Sequence, residues 1–252
     1  MLFHRPQLAS YKTRFAGLAL LLAPLLGCQN IVNNNTQVAQ IRFINATPID
    51  VGGLDMYLNG TAVAYNLGAG SFTSYVPVNP GTYTVASKAA GSTSTLVTTR
   101  ASLANSKQYT AVVGGETAGI QELVLSDQSQ PAPGGEIAIR FLDQATHAGA
   151  VDIYLVPTGQ KLTAVNPVLT NVSFNTNTGY LDVPTADYSI VLLPTGTVPT
   201  STTTALYTGA LTTYPAGSAR TDIILDNPIL NTPGFTLKEL ADYDSATSTS
   251  PQ

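Results

Sequence analysis

Apolar and polar residues alternate along much of the chain with a period of two, which is the period of a β-strand that buries one face. In the segment 54–58, Leu54, Met56 and Leu58 are expected to face a core while Asp55 faces outward. The segment 151–155 repeats this arrangement. The pattern therefore predicts an all-β protein.

The same landmarks occur twice, in the same order. They are 41–45 and 139–143, 54–58 and 151–155, 75–85 and 180–190, and, more weakly, 109–113 and 220–224. Each copy is about a hundred residues long, a length typical of a two-sheet antiparallel sandwich. The sequence predicts two tandem antiparallel β-sandwich domains that follow a cleaved signal peptide.

Turn-forming and polar stretches place the boundaries of these domains. Two short segments, 116–125 and 236–243, are compatible with either helices or strands. The expected organisation is a signal peptide at 1–27, a flexible tether at 28–38, a first sandwich at 39–126, a linker at 127–136, a second sandwich at 137–244 and a disordered tail at 245–252.

The N-terminal residues have the layout of a secretory signal: a basic start, an apolar run and then Gly27 before Cys28. The run from Ala16 to Leu26 has 11 residues, whereas a membrane-spanning helix needs about 20. The residues Leu25-Leu26-Gly27-Cys28 resemble the lipobox of bacterial lipoproteins. This resemblance implies cleavage between Gly27 and Cys28 and a covalent lipid on the Cys28 thiol. A secreted protein with one free thiol is the alternative.

By the same resemblance, Gln29 implies sorting to the outer membrane if the cell has two membranes, with the body on its periplasmic or surface face. After removal of residues 1–27, the chain keeps eight basic and 15 acidic residues, a formal net charge of −7. That balance argues against nucleic acid or an anionic bilayer as a partner. Cys28 is the only cysteine, so no intrachain disulfide is possible.

The two copies are similar to the bacterial family called domain of unknown function 4397. Ile41 to Ala46, Leu54 to Leu58 and Pro80 to Val85 carry this resemblance. It implies an immunoglobulin-like sandwich in an extracytoplasmic setting and implies no activity. The second copy differs at 185–187, where Thr-Ala-Asp replaces the glycine turn.

Two tyrosines, Tyr83 and Tyr188, follow a turn and begin an apolar strand. They are predicted to be tyrosine corners, whose hydroxyl groups bind local backbone; ligand stacking is the alternative.

Opposite charges also recur on the first two predicted strands of each copy. Arg42 with Asp55, and Arg140 with Asp152, are predicted to form exposed cross-strand ion pairs if those strands are neighbours. A shared anion site is the alternative.

The residues of the mature chain offer little for catalysis or for a metal site. His147 is its only histidine, and no serine-nucleophile motif of the Gly-x-Ser-x-Gly type is present. The acids expected in loops or near the tail do not have calcium-loop spacing and are predicted to be solvated; they are Asp50, Asp143, Asp226, Asp242 and Asp244. No catalytic residue, metal ligand or cofactor other than the lipid on Cys28 is predicted.

The expected function is a membrane-anchored, non-catalytic interaction or structural module of the cell envelope, whose partner is an envelope protein or a glycan. An alternative is a carbohydrate- or small-ligand-binding protein that uses exposed tyrosines such as Tyr65, Tyr207 and Tyr214. A hydrolase that depends on His147 is a third possibility.

Overall fold

The structure, a computed structural model, describes residues 37–116, 118–147, 149–227 and 234–244. Gly27, Cys28, most of the predicted tether and the predicted tail lie outside these residues. Everything described belongs to one compact unit that starts at Gln37. Within the described residues, no helix has the length and apolar character needed to cross a membrane.

Residues from 39 to 127 form the first sandwich. In the described part of the chain its strands make two four-stranded sheets: sheet A, in the order β4-β1-β7-β8, and sheet B, in the order β3-β2-β5-β6. The strands are β1 Ala39–Asn45, β2 Leu54–Leu58, β3 Thr61–Leu67, β4 Val76–Val78, β5 Gly81–Ala89, β6 Thr95–Leu103, β7 Gln108–Gly114 and β8 Gln121–Asp127. A short 3₁₀ helix, Ile49–Val51, precedes β2.

Residues from 136 to 243 form the second sandwich with a corresponding strand order. Sheet C has the order β12-β9-β16-β17, and sheet D has the order β11-β10-β13-β14, with β15 also paired to β13. The strands are β9 Glu136–Asp143, β10 Val151–Pro157, β11 Leu169–Val172, β12 Asn177–Pro184, β13 Asp187–Pro194, β14 Tyr207–Thr208, β15 Thr212–Thr213, β16 Ala219–Asp226 and β17 Phe235–Tyr243. A 3₁₀ helix, Leu162–Ala164, follows β10.

The predicted all-β sandwich class is confirmed, and each sandwich also contains one parallel strand pair. Strand β1 runs parallel to β7, with Phe43 opposite Ala111. Strand β9 runs parallel to β16, with Phe141 opposite Asp222. Because these registers correspond, Ala111 and Asp222 occupy equivalent positions in the two sandwiches.

The four sheets stack in the order B, A, C, D, because sheets A and C each contribute buried residues to two different hydrophobic clusters. Ile41 and Phe43 of β1 belong to the core between sheets A and B, whereas Ile44 belongs to a separate cluster with Ile223 and Leu240 between sheets A and C. The core between sheets C and D is built mainly from β9, β10 and β13. The two sandwiches therefore share a buried interface.

The residues predicted as a linker pack against the second sandwich. Asp127 ends β8 and is buried, and the Gln128 N–H donates to the Tyr180 hydroxyl oxygen at 3.1 Å. Ala132 is also buried and donates its N–H to the Gly217 carbonyl. These contacts fix the connection at the interface.

Candidate functional site

Arg42 projects from β1 across the interface between the sandwiches. Its Nε donates to Thr110 Oγ1 at 2.8 Å within the first sandwich. Its Nη1 donates to the Ala241 carbonyl at 2.8 Å, and its Nη2 binds the Asp242 carboxylate in the second sandwich. The guanidinium therefore connects strands that lie about 200 residues apart in sequence.

Arg140 makes the reciprocal set of contacts from β9. Its Nε donates to Thr221 Oγ1 at 2.9 Å within the second sandwich. Its Nη1 donates to the Ser126 carbonyl at 3.1 Å, and its Nη2 binds Asp127 Oδ1 at 2.5 Å in the first sandwich. Each arginine thus binds a carboxylate of the opposite sandwich through an equivalent set of contacts.

Tyrosine rings and hydroxyl groups complete both halves of this network. The Tyr75 hydroxyl donates to Asp127 Oδ2 at 2.8 Å, and the Tyr180 hydroxyl donates to Asp242 Oδ2 at 2.8 Å. The Arg42 guanidinium lies 4.6 Å from the centroid of the Tyr75 ring, and the corresponding distance from Arg140 to the Tyr180 ring is also 4.6 Å. Both arginines are therefore held by a carboxylate and an aromatic face.

The network is buried, which sets its electrostatics. The side chains of Arg42 and Arg140 are only 4% and 2% exposed, and that of Asp242 is 0% exposed. Burial raises the pKa of Asp242, and the charge of Arg42 offsets part of that rise. Because each arginine already binds a carboxylate, we interpret the network as a structural connection between the sandwiches rather than as an anion site.

These contacts correct the predicted ion pairs Arg42 with Asp55 and Arg140 with Asp152. Strands β1 and β2 belong to different sheets, as do β9 and β10, so the charges do not meet across one sheet face. Each aspartate binds backbone instead. Asp55 accepts the N–H groups of Asn66 and Gly91 at 2.8 and 3.0 Å.

Asp152 makes the same contacts in the second sandwich. It accepts the N–H groups of Asn171 and Gly196, both at 2.9 Å. In the first sandwich the two backbone hydrogen bonds lower the pKa of Asp55. Each aspartate therefore ties an edge strand and a turn to the second strand of its copy.

Tyr83 and Tyr188 both bind backbone four residues upstream. The Tyr83 hydroxyl donates to the Asn79 carbonyl at 2.7 Å. The Tyr188 hydroxyl donates to the Pro184 carbonyl at 2.8 Å. This is the hydrogen bond of a tyrosine corner, and it closes the turn before β5 and before β13.

His147 lies on the surface with its side chain 69% exposed. Its Nδ1 is 3.1 Å from Asp226 Oδ2 and also 3.1 Å from Thr146 Oγ1. The hydrogen bond and negative charge of Asp226 raise the pKa of His147. A catalytic triad places the orienting acid and the nucleophile on opposite ring nitrogens. In this protein the hydroxyl of Thr146 and the carboxylate of Asp226 both contact Nδ1 of His147, so the arrangement is not that of a triad.

Two of the acids predicted to be solvated are buried. Asp143 ends β9, Asp242 lies within β17, and both residues are buried. Burial raises the pKa of Asp143 to about 6. Their strand positions, which the sequence pattern did not locate, explain the difference. Among the described residues, no group of three or more His, Cys, Asp and Glu side chains could hold a metal ion.

Glu122 is a buried acid of the first sandwich. It lies on β8 and is 7% exposed. The Ser87 hydroxyl donates to its Oε1 at 2.8 Å, whereas its Oε2 has no hydrogen-bond partner among the described residues. Burial raises the pKa of Glu122 to about 7, although the Ser87 hydrogen bond acts in the opposite direction.

A cavity of about 170 Å³ opens between sheets C and D of the second sandwich. Asp222 lines it and is completely buried, and neither of its carboxylate oxygens has a hydrogen-bond partner in the described part of the chain. Burial raises the pKa of Asp222 well above its ordinary value, and the charge of Glu239 raises it further. The other lining residues are Ile190, Tyr207, Gly209, Ala210, Thr212, Tyr214, Leu237 and Glu239.

The tyrosines expected to be exposed differ in their surroundings. Tyr65 is 72% exposed. Tyr207 is half-buried, and Tyr214 is only 2% exposed, so the prediction of an exposed side chain is wrong for Tyr214. Burial raises the pKa of Tyr214, with a further contribution from the charge of Asp222. Tyr207 and Tyr214 are therefore walls of the cavity.

The family comparison covers the first sandwich, the strand β9 and the beginning of β10. Residues 39–154 match the model of a family described as a domain of unknown function, DUF4397. This segment is therefore similar to the DUF4397 family. The matched segment includes both arginines of the buried network and Asp127, whereas Asp242 lies outside it.

No curated protein matches the sequence. Among solved structures, the Bacillus anthracis TIE protein is similar at 8% identity and a TM-score of 0.23. That match covers 81% of this chain and 44% of the other, so the chain spans less than half of that protein. A likeness at this TM-score carries no conclusion about this chain.

Sequence reasoning missed the partners of the two arginines. One signal for them was present: a basic residue stands between apolar neighbours in Ile41-Arg42-Phe43, and Arg140 has the same setting. A buried cation needs an anion. The sequence did not indicate that Asp127 and Asp242 supply it from the opposite sandwich.

Proposed function

We propose that this chain is a membrane-anchored extracytoplasmic lipoprotein, and that its two-sandwich body is a non-catalytic interaction or structural module of the cell envelope. The observation that carries the proposal is the sequence Leu25-Leu26-Gly27-Cys28 at the end of an apolar run. Lipid on Cys28 would hold the body at a membrane surface, with outer-membrane sorting as the more specific part of the proposal.

The fold gives this proposal physical support. Reciprocal ion pairs join the sandwiches, and an apolar layer containing Ile44, Ile223 and Leu240 packs between sheets A and C. A body built in this way would present loops and sheet edges in fixed relative positions. We further propose that the second sandwich is a second copy of the DUF4397 domain, because Arg140 and Asp242 reproduce the roles of Arg42 and Asp127.

The anchor is tested by Cys28→Ser in cells that are fed a fatty-acid probe. The variant should lose the label and leave the membrane fraction, since serine offers no thiol for lipidation. Tyr65→Phe is the matched control. Its side chain is exposed, so this variant should keep the label. Retained label on Cys28→Ser would contradict the anchor.

The display role is tested separately by crosslinking on intact cells. Reproducible capture of one envelope protein by the lipidated chain, lost when Cys28→Ser releases it, is the expected result. The non-catalytic part is consistent with the geometry of His147, where Thr146 and Asp226 share one nitrogen. A substrate turnover that His147→Ala abolishes would contradict it.

Glycan binding is the second candidate, and the exposure of Tyr65 favours it. At 72% exposure this ring offers a flat face on which a sugar could stack. A glycan array should then show a specific sugar whose binding Tyr65→Ala removes. Equal binding by wild type and Tyr65→Ala would reject this candidate.

A further inference from the structure

We infer that the cavity between sheets C and D of the second sandwich binds the ammonium group of a slender alkylamine, with Asp222 as its anionic floor. The ligand chemistry is a primary ammonium on an aliphatic chain. It could be supplied by a free di- or polyamine or by a lysine side chain. This inference goes beyond the envelope-display role and does not depend on the lipid anchor.

The first argument is the state of Asp222. Its side chain has no exposed surface, and neither oxygen accepts a hydrogen bond from any described residue. A buried polar group without partners costs folding free energy, so such groups in native proteins call for an explanation. A ligand with several N–H donors would satisfy both oxygens.

The second argument is that the two sandwiches differ at this place. Asp222 stands opposite Glu239 on β17, whereas the equivalent pair in the first sandwich is Ala111 opposite Val124. Ala111 is completely buried in an apolar core. The shared fold therefore does not require acids here, and the second sandwich has two.

The third argument is a break in the strand that pairs with β13 beside the cavity. Strand β6 of the first sandwich pairs with β5 from Gly81 to Lys88, with one register irregularity between Ser87 and Lys88. Its counterpart in the second sandwich is split into β14 and β15, with residues 209–211 between them. Gly209 and Ala210 of this break line the cavity. The break between β14 and β15 therefore lies at the same cavity as Asp222 and Glu239.

The lining favours an ammonium over a metal ion. Calcium takes about six to eight oxygen ligands, and the cavity is lined by two carboxylates among largely apolar and aromatic walls. Asp222 forms no ion pair in the described part of the chain, whereas Glu239 Oε1 lies 3.5 Å from Arg220 Nε. An alkylammonium needs acceptors for its three N–H groups and apolar side chains around its alkyl chain. Aromatic rings stabilise it further. Ile190 and Leu237 are apolar lining residues, and Tyr207 is an aromatic one.

The size of the cavity favours a slender group. Its 170 Å³ lies below the range of about 300 to 1,000 Å³ that is usual for drug-sized ligands. Gly209 packs closely against Tyr207 in this wall, because a Cβ there would lie 3.2 Å from the Tyr207 ring and 3.3 Å from its hydroxyl. We infer a linear alkyl chain from the small volume.

The inference is tested with the purified full chain and n-butylammonium chloride, using calorimetry and NMR. Binding should perturb signals of residues 207–214, 222 and 237–239. The neutral isostere n-butanol should bind about ten- to a hundredfold more weakly, because charge-assisted hydrogen bonds are lost. Equal binding of n-butanol, or perturbation elsewhere on the protein, would overturn the inference.

The decisive variant is Asp222→Asn, which keeps the shape of the side chain and removes its charge. It should weaken n-butylammonium binding about ten- to a hundredfold, and Glu239→Gln should weaken it less because Glu239 is more exposed. Glu122→Gln is the matched control, a buried acid in the other sandwich, and should bind as wild type does. Undiminished binding by Asp222→Asn would overturn the inference.

Two further measurements are needed. One distinguishes a free polyamine from a lysine side chain, and the other tests calcium as a competing ion. Tighter binding of 1,4-diaminobutane than of Nα-acetyl-lysine methylamide would support a free polyamine, and the reverse order would support a lysine side chain. Calcium chloride should produce no shift at residues 222 and 239. Calcium binding there, without any response to n-butylammonium, would overturn the inference.

Discussion

Arg42 of the first sandwich binds the carboxylate of Asp242 in the second sandwich, although the two residues are about 200 positions apart. The exchange is reciprocal, since Arg140 binds Asp127 at 2.5 Å. Each sandwich thus provides the counter-ion that the other needs. We therefore expect the two sandwiches to depend on each other for stability.

Removing one partner of the pair should be costly. Arg42→Met leaves Asp242 charged and buried without its cation, and we expect a loss of about 3 to 5 kcal/mol in the free energy of unfolding, measured by urea denaturation. The double variant Arg42→Met/Asp242→Leu should recover much of this loss, because it leaves no unpaired charge.

Asp244→Asn is the matched control for that pair. Asp244 binds Arg220 at the surface, and its side chain is 64% exposed, so its loss should cost less than about 1 kcal/mol. If Arg42→Met proves as mild as Asp244→Asn, the network does not stabilise the interface as described.

The sandwiches should unfold together. Separation would expose the apolar layer between sheets A and C, so we expect a single calorimetric transition whose calorimetric and van't Hoff enthalpies agree. Val112→Asp, which places a charge in that layer at a position 1% exposed, should split the transition into two. Leu96→Asp, at a position 42% exposed, should leave it single.

The tyrosine corners should contribute unequally to stability. Tyr188 is 7% exposed, so Tyr188→Phe should lower the free energy of unfolding by about 1 kcal/mol through its lost hydrogen bond to Pro184. Tyr83→Phe should cost less, because the bond to Asn79 is exposed to water. Tyr65→Phe serves as the neutral control, and equal losses in all three variants would contradict a corner role.

Glu122 should make stability depend on pH. The pKa of Glu122 in the folded protein is about 7, above its ordinary value of 4.5. Below pH 4.5 both states hold the proton. As the pH rises to about 7 the unfolded chain loses its proton first, so folding is progressively penalised.

This penalty reaches about 3 kcal/mol above pH 7, since a tenfold change in proton affinity is worth about 1.4 kcal/mol. Glu122→Gln removes the titration. Urea unfolding should therefore find the variant close to wild type near pH 4.5 and more stable by up to about 3 kcal/mol at pH 8. A constant difference across this range would show that Glu122 titrates normally.

Local pattern sufficed for some elements and failed for others. Leu54, Met56 and Leu58 are core residues as their spacing of two predicted. The pairing of Arg42 with Asp55 was wrong, because two consecutive strands of a sandwich can enter different sheets and sequence order does not say which. The exposure predicted for Tyr214 was wrong because the wall of the second sandwich closes over it.

The sequence by itself determined the all-β class, and it predicted two similar copies and a lipidated Cys28. These follow from short-range spacing and from repetition along the chain. Only the tertiary structure decided that Arg42 meets Asp242 and that Asp222 lies in a cavity without a hydrogen-bond partner among the described residues. Both depend on sheets that stack face to face, and such contacts join residues whose separation in sequence carries no periodic signal.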